Sequence, residues 1–112
     1  ARAEGGFELG GNRFKLVDLP GIYCLGGFSA DERIAVDVIL GRMEDTPPPD
    51  GLLFVLDATH LYQGLYLLQQ LVELERPLMV ALTMCDAAER EGIHVDHDRL
   101  SELLGGVPVY PI

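Results

Sequence analysis

Positive charge is scarce in this sequence. Its 112 residues carry 8 lysines and arginines against 18 aspartates and glutamates, for a net charge of −10. Lysine occurs once, at Lys15. So acidic a chain argues against nucleic acid or an anionic membrane surface as partner, because both select for Lys and Arg. Cysteine is nearly missing too. Cys24 and Cys85 lie far apart and match no metal-ligand spacing, which favours a reduced, cytosolic setting. No apolar run approaches the length of a membrane span, and the N-terminus lacks a signal-peptide pattern. Any membrane contact of the parent protein is expected elsewhere.

What is present is an ordinary globular composition, 48% hydrophobic and 23% charged, of single-domain size. The chain is organised around Arg13 to Leu25. Phe14, Leu16 and Val17 read as a half-buried strand, which breaks at Asp18-Leu19-Pro20-Gly21. Pro20 fixes φ for a turn, and Gly21 accepts φ > 0 without a Cβ penalty. The turn delivers a carboxylate and a bare backbone N–H to the end of a strand, where open α/β sheets bind ligands. An Asp there can hold Mg²⁺ through water, and a glycine N–H can approach a phosphate oxygen. A plain Pro-Gly turn is the competing reading of these four residues.

Ahead of this, Ala1 to Gly6 reads as a ragged entry. Phe7-Glu8-Leu9 reads as a short strand, and Gly10-Gly11-Asn12 as the turn of a β-hairpin. Beyond it, Ser29-Ala30-Asp31-Glu32 has the form of a capping box. The helix it opens places Ile34, Ala35, Val38 and Ile39 on one stripe and ends near Gly41. Asp31 and Glu32 are read as complements of the helix dipole rather than as catalysts. Pro47-Pro48-Pro49 is a stiff spacer.

Gly51 to Asp57 and Pro77 to Thr83 are continuous apolar runs, the pattern of strands buried on both faces. Between them Leu61 to Glu75 shows helical spacing at Leu61, Leu65, Leu68 and Val72, with Tyr62 and Tyr66 read as core or rim packing. Strand, helix, strand at this spacing is a βαβ unit. Thr83-Met84-Cys85-Asp86 closes the second strand as Asp18 closes the earlier one. Asp86 is either a ligand group or the N-cap of a short helix over Ala87 to Glu91 that stops at Gly92. Asp96 caps the next helix, which turns Leu100, Leu103 and Leu104 inward, and Val107 to Ile112 begins a last strand. His94 and His97, with no supporting second cluster, are read as solvated rather than metal-bound.

The blocks VDLPGIYCL, SADERIAVDVILG, PDGLLFVLDATHLYQGLYLLQQLVEL, PLMVALTMCDAAEREGI and LLGGVPVYP together resemble the G domain of the ferrous iron transport protein B family over nearly the whole chain. The resemblance implies an α/β fold of the Ras-like, P-loop NTPase type, in three layers. Its sheet would be mostly parallel with an N-terminal antiparallel hairpin, residues 1–112 forming part of one GTP-binding domain. It implies GTP or GDP and Mg²⁺ as ligands, with Asp18 holding Mg²⁺ through water and Gly21 meeting the γ-phosphate. Asp86 would accept from N1–H and N2–H₂ of guanine, a pair of donors that adenine does not offer. Thr83 stands where most of the family has Asn. Ile22 stands where Ras-like enzymes place a water-orienting Gln, which implies slow hydrolysis. The implied setting is the cytoplasmic face of the bacterial inner membrane. The implied partners are the transmembrane and helical regions of the same parent protein, with nucleotide state regulating Fe(II) uptake.

The chain departs from the family in one large respect. A P-loop needs G-x-x-x-x-G-K-[ST], and Lys15 has no such glycines before it. The first strand, the P-loop and the last base-binding motif are thus expected to lie outside these 112 residues. By themselves the residues should bind GTP very weakly or not at all. A nucleotide-incompetent α/β remnant, or a module serving only as a binding surface, is the alternative. A receiver-type domain fits less well, since it wants a late lysine.

Overall fold

A computed structural model describes residues 3–18, 30–42 and 48–112. The turn residues Pro20 and Gly21, Ile22, Cys24, the Ser29 cap and Pro47 lie outside the described residues. The chain forms two compact units, residues 1–48 and 49–112.

The first unit holds a hairpin of β1 (Ala3–Leu9) and β2 (Asn12–Asp18), paired antiparallel from Ala3↔Asp18 to Leu9↔Asn12. The turn is two residues long, Gly10 and Gly11, with φ of 59° and 81°. Two consecutive positive φ values match the twist of the flanking strands, and only residues such as Gly or Asn take them cheaply. Strand β1 is therefore longer than the Phe7–Leu9 reading, and Asn12 belongs to β2 rather than to the turn. Pairing puts Phe7, Leu9, Phe14 and Leu16 on one face, where Phe7 and Phe14 stack with centroids 5.1 Å apart. The other face carries Glu4, Glu8, Arg13 and Lys15, with ion pairs Arg13–Glu8 and Lys15–Glu4 at 3.5 and 3.3 Å. Leu16 and Phe14 remain exposed, so the strand is less buried than its composition predicts.

Helix α1 (Ala30–Ile39) buries Ala35, Val38 and Ile39 of the stripe its spacing predicts, and leaves Ile34 half-buried. It ends as expected at Gly41, φ 73°. There Arg42 N–H donates to the Asp37 carbonyl at 2.7 Å and Gly41 N–H to the Val38 carbonyl at 3.2 Å. This is the Schellman pattern that satisfies a helix's last carbonyls.

The second unit is built on a parallel sheet in the order β3 (Leu52–Asp57), β4 (Leu78–Thr83), β5 (Val109–Pro111). Register runs from Leu52↔Leu78 to Asp57↔Thr83, and from Val80↔Val109 to Leu82↔Pro111. Between β3 and β4 come a 3₁₀ turn (Ala58–His60) and α2 (Leu61–Glu73). Helices α3 (Cys85–Arg90) and α4 (His97–Leu103) lie between β4 and β5. The core is Leu56, Ala58, Leu68, Val80, Leu82, Ala88, Leu104 and Val109, with Leu61, Leu65, Val72 and Leu100 packed against it.

Several sequence readings need correction here. Strand β3 is not buried on both faces: Phe54 and Leu56 meet α2, while Leu53 and Val55 are 55% and 62% exposed. Only the central strand β4 approaches the expected pattern, with Val80, Ala81 and Leu82 all buried. Tyr62 and Tyr66 point away from the core, Tyr62 at 92% exposure, because they sit one residue beyond the Leu61/Leu65 stripe. Leu103 is likewise exposed, leaving Leu100 and Leu104 to face inward. Helix α2 stops at Glu73, because Glu75 takes the left-handed conformation (φ 55°) that ends it.

Candidate functional site

The carboxyl ends of β3 and β4 lie side by side and carry Asp57 and Thr83 in register. Chain leaves β4 through a sharp turn. Thr83 is its last strand residue, Met84 is left-handed at φ 61°, and α3 starts at Cys85. A methionine in that region carries a Cβ clash costing on the order of 1 kcal/mol, so the turn is held by its surroundings. Asp86 is the second residue of α3. It does not cap the helix: Met84 occupies the N-cap position, and its side chain makes no capping hydrogen bond. The Asp86 carboxylate is 86% exposed, with Arg90 at 3.9 Å as its ion-pair neighbour one helical turn on. An exposed carboxylate so loosely held keeps both oxygens available as acceptors.

The root of this turn is tied to both neighbouring strands. Thr83 Oγ1 donates to the Leu56 carbonyl of β3 at 3.3 Å. The Leu82 carbonyl accepts from Ile112 N–H at 2.9 Å, and the half-buried Cys85 thiol lies 3.8 Å from the same oxygen.

Asp57 is a feature that the strand reading passed over. Its Oδ1 accepts from Thr59 N–H at 2.8 Å and from Thr59 Oγ1 at 2.6 Å, capping the 3₁₀ turn. The Thr59 hydroxyl first and then the Thr59 amide hold the Asp57 carboxyl below its ordinary value of 3.8; burial opposes them, and nearby His60 adds a lesser lowering. The D-x-T spacing was the signal that could have revealed it.

Of the residues singled out from sequence, Thr83 and Asp86 share this one turn. Asp18 is the last residue of β2, opposite Ala3 and exposed. Gly21 lies outside the described residues. Asp96 does cap α4, accepting from Arg99 N–H at 3.1 Å. Among the described residues no three His, Cys, Asp or Glu side chains are grouped to hold a metal ion. His94 has Glu89 at 3.7 Å and His97 has Asp98 at 3.4 Å. Among the described residues, no helix is long and apolar enough to cross a membrane.

A parallel sheet with an irregular turn and an exposed acidic group at its carboxyl edge, preceded in the chain by an antiparallel hairpin, is the α/β plan of a G domain. The chain belongs to the ferrous iron transport protein B family, whose profile matches residues 1–112. It is 42% identical over 108 residues to an Fe(2+) transporter FeoB of Legionella pneumophila (strain Lens), a match spanning 93% of this chain and 14% of that protein. The FeoB G domain of Methanococcus jannaschii superposes with a TM-score of 0.86 at 44% identity, covering 97% of this chain and 66% of that one. The cytosolic domain of the T. maritima FeoB iron transporter is similar in its GDP form II, with a TM-score of 0.86 at 36% identity over 98% of this chain and 41% of that one. Its GMPPNP form gives 0.84 at 37%, over 96% and 42%. The chain thus spans about a seventh of the curated relative's length.

Proposed function

We propose that this chain is part of the cytoplasmic guanine-nucleotide-binding domain of a ferrous iron transporter, and that the bound nucleotide regulates Fe(II) uptake at the inner membrane. The observation that carries the reading is Asp86, an exposed carboxylate in the first turn of α3, just past the carboxyl end of the central strand β4. Relatives of the same fold adopt GDP and GMPPNP forms, which supports a guanine nucleotide as the ligand. In this reading Asp86 accepts from N1–H and N2–H₂ of guanine, and Thr83 belongs to the same motif. Asp18 and Gly21 serve the phosphate end. The exposed Asp18 carboxylate at the end of β2 is the hard oxygen donor that Mg²⁺ takes, directly or through water. Both compact units are taken as parts of the one domain, whose remaining phosphate contacts come from elsewhere in the parent protein, as do its transmembrane and helical partners.

Asp86→Asn in the complete protein tests this. An amide offers a donor where the carboxylate offered an acceptor, so GDP and GTP should bind at least tenfold more weakly while xanthine nucleotides gain. Calorimetric titration with GDP and XDP reads both. Unchanged guanine affinity would remove the assignment.

A further inference from the structure

Among the described residues the Asp86 carboxylate has no close partner to aim it; Arg90, at 3.9 Å and itself 76% exposed, is too loose to fix a rotamer. Its aim must come from the backbone of the turn. That backbone passes through a left-handed methionine, whose side chain does not cap the helix that follows. The turn is therefore only as firm as the ties at its root. On the β5 side the tie is backbone, Ile112 N–H to the Leu82 carbonyl. On the β3 side a side chain adds to the strand ladder: Thr83 Oγ1 to the Leu56 carbonyl, half buried, at 3.3 Å. A hydroxyl has one proton to donate, and this one is directed at β3.

We infer that Thr83 is a positioning residue for guanine selection: its hydroxyl anchors the β4–α3 turn to β3 and so aims Asp86, rather than donating to the base itself. The inference rests on the reading of Asp86 as the base selector. It follows that the hydroxyl matters for discrimination more than for grip. Inosine nucleotides, which lack the 2-amino group, give the readout. They meet only one of the two acceptors, so the ratio of GDP to IDP affinity measures how well both carboxylate oxygens are placed.

The experiment titrates the complete protein with GDP, IDP and XDP in four forms: unaltered, Thr83→Val, Thr83→Ser and Asp86→Asn. Thr83→Val keeps the shape and removes the hydroxyl. It should lower the GDP:IDP affinity ratio roughly three- to tenfold, the range one neutral hydrogen bond supports. Thr83→Ser should restore the ratio. A ratio within twofold of the unaltered protein's in a folded Thr83→Val overturns the inference, as does an equal loss for GDP and IDP, which a merely structural role would give. Should the valine form fail to fold, Thr83→Ala takes its place under the same criteria. Asp86→Asn separates the two claims. If it leaves the nucleotide preference unchanged, the selector reading itself fails, and the inference with it. If it moves preference toward XDP while Thr83→Val changes nothing, the inference fails alone.

Discussion

Gly64 of α2 lies so close to Leu56 of β3 that a Cβ on the glycine would fall inside the contact distance of Leu56 Cδ1. Leu56 is fully buried at the centre of the core, so its side chain has little room to move. A mid-helix glycine normally costs about 1 kcal/mol relative to alanine, and overpacking a core costs about 1–3 kcal/mol. The second effect should win. Gly64→Ala is expected to lower stability by about 1 kcal/mol net, read as a lower denaturant midpoint with unchanged slope. A stability gain would show that α2 can lift off β3 freely.

The Asp57–Thr59 pair gives a pH prediction. The folded-state carboxyl sits below 3.8, so the pair's contribution is fully present above that value and disappears as pH falls through the lower, folded one. Thr59→Ala removes the hydroxyl that is the largest cause of the shift. The Asp57 resonance, followed by NMR, should then titrate closer to 3.8, and the acid limb of the stability curve below that pH should flatten. An unmoved titration would mean that the hydroxyl bond is not formed in solution.

Glu75 occupies a left-handed position that helices usually end on with glycine. Glutamate costs about 1–2 kcal/mol there, and glycine loses about 0.4–1 kcal/mol through the freedom it gives the unfolded chain. Glu75→Gly should therefore stabilise by roughly 0.5 kcal/mol, measured by chemical denaturation. Destabilisation would place the end of α2 elsewhere.

Parts of this structure were readable in advance because they depend on neighbours in sequence. Gly10-Gly11 marks a hairpin turn, though Asn12 pairs with Leu9 in the strand; Asp96 finds its amide three residues on, and Leu61, Leu65, Leu68 and Val72 mark a helix stripe whatever it packs against. Other parts depend on partners that no local pattern encodes. Whether Val55 is covered depends on which elements pack over its face of the sheet, so an apolar run misleads. The end of α2 was hidden because a glutamate, not a glycine, takes the terminating conformation. At the candidate site, Asp86 could be placed at a strand end from sequence alone. The tie that holds its turn could not, because Thr83 bonds a backbone carbonyl 27 positions away, and every residue type offers the same carbonyl.

The uncovered side of the second unit has a colloidal consequence. Leu53 and Met79 are register partners, as are Val55, Ala81 and Tyr110 in sequence across the sheet, and all of these but Ala81 are about half exposed. They form a contiguous non-polar surface on a strand arrangement whose outer edge, β3, has no ladder partner among the described residues. Such a surface, beside an edge unpaired among the described residues, is a template for self-association. The net charge of −10 opposes this at low ionic strength, and salt screens that repulsion over roughly 8–10 Å near physiological strength. Preparations of these 112 residues should therefore scatter more light as salt and concentration rise together. Val55→Lys, placed on the edge strand, should suppress the effect.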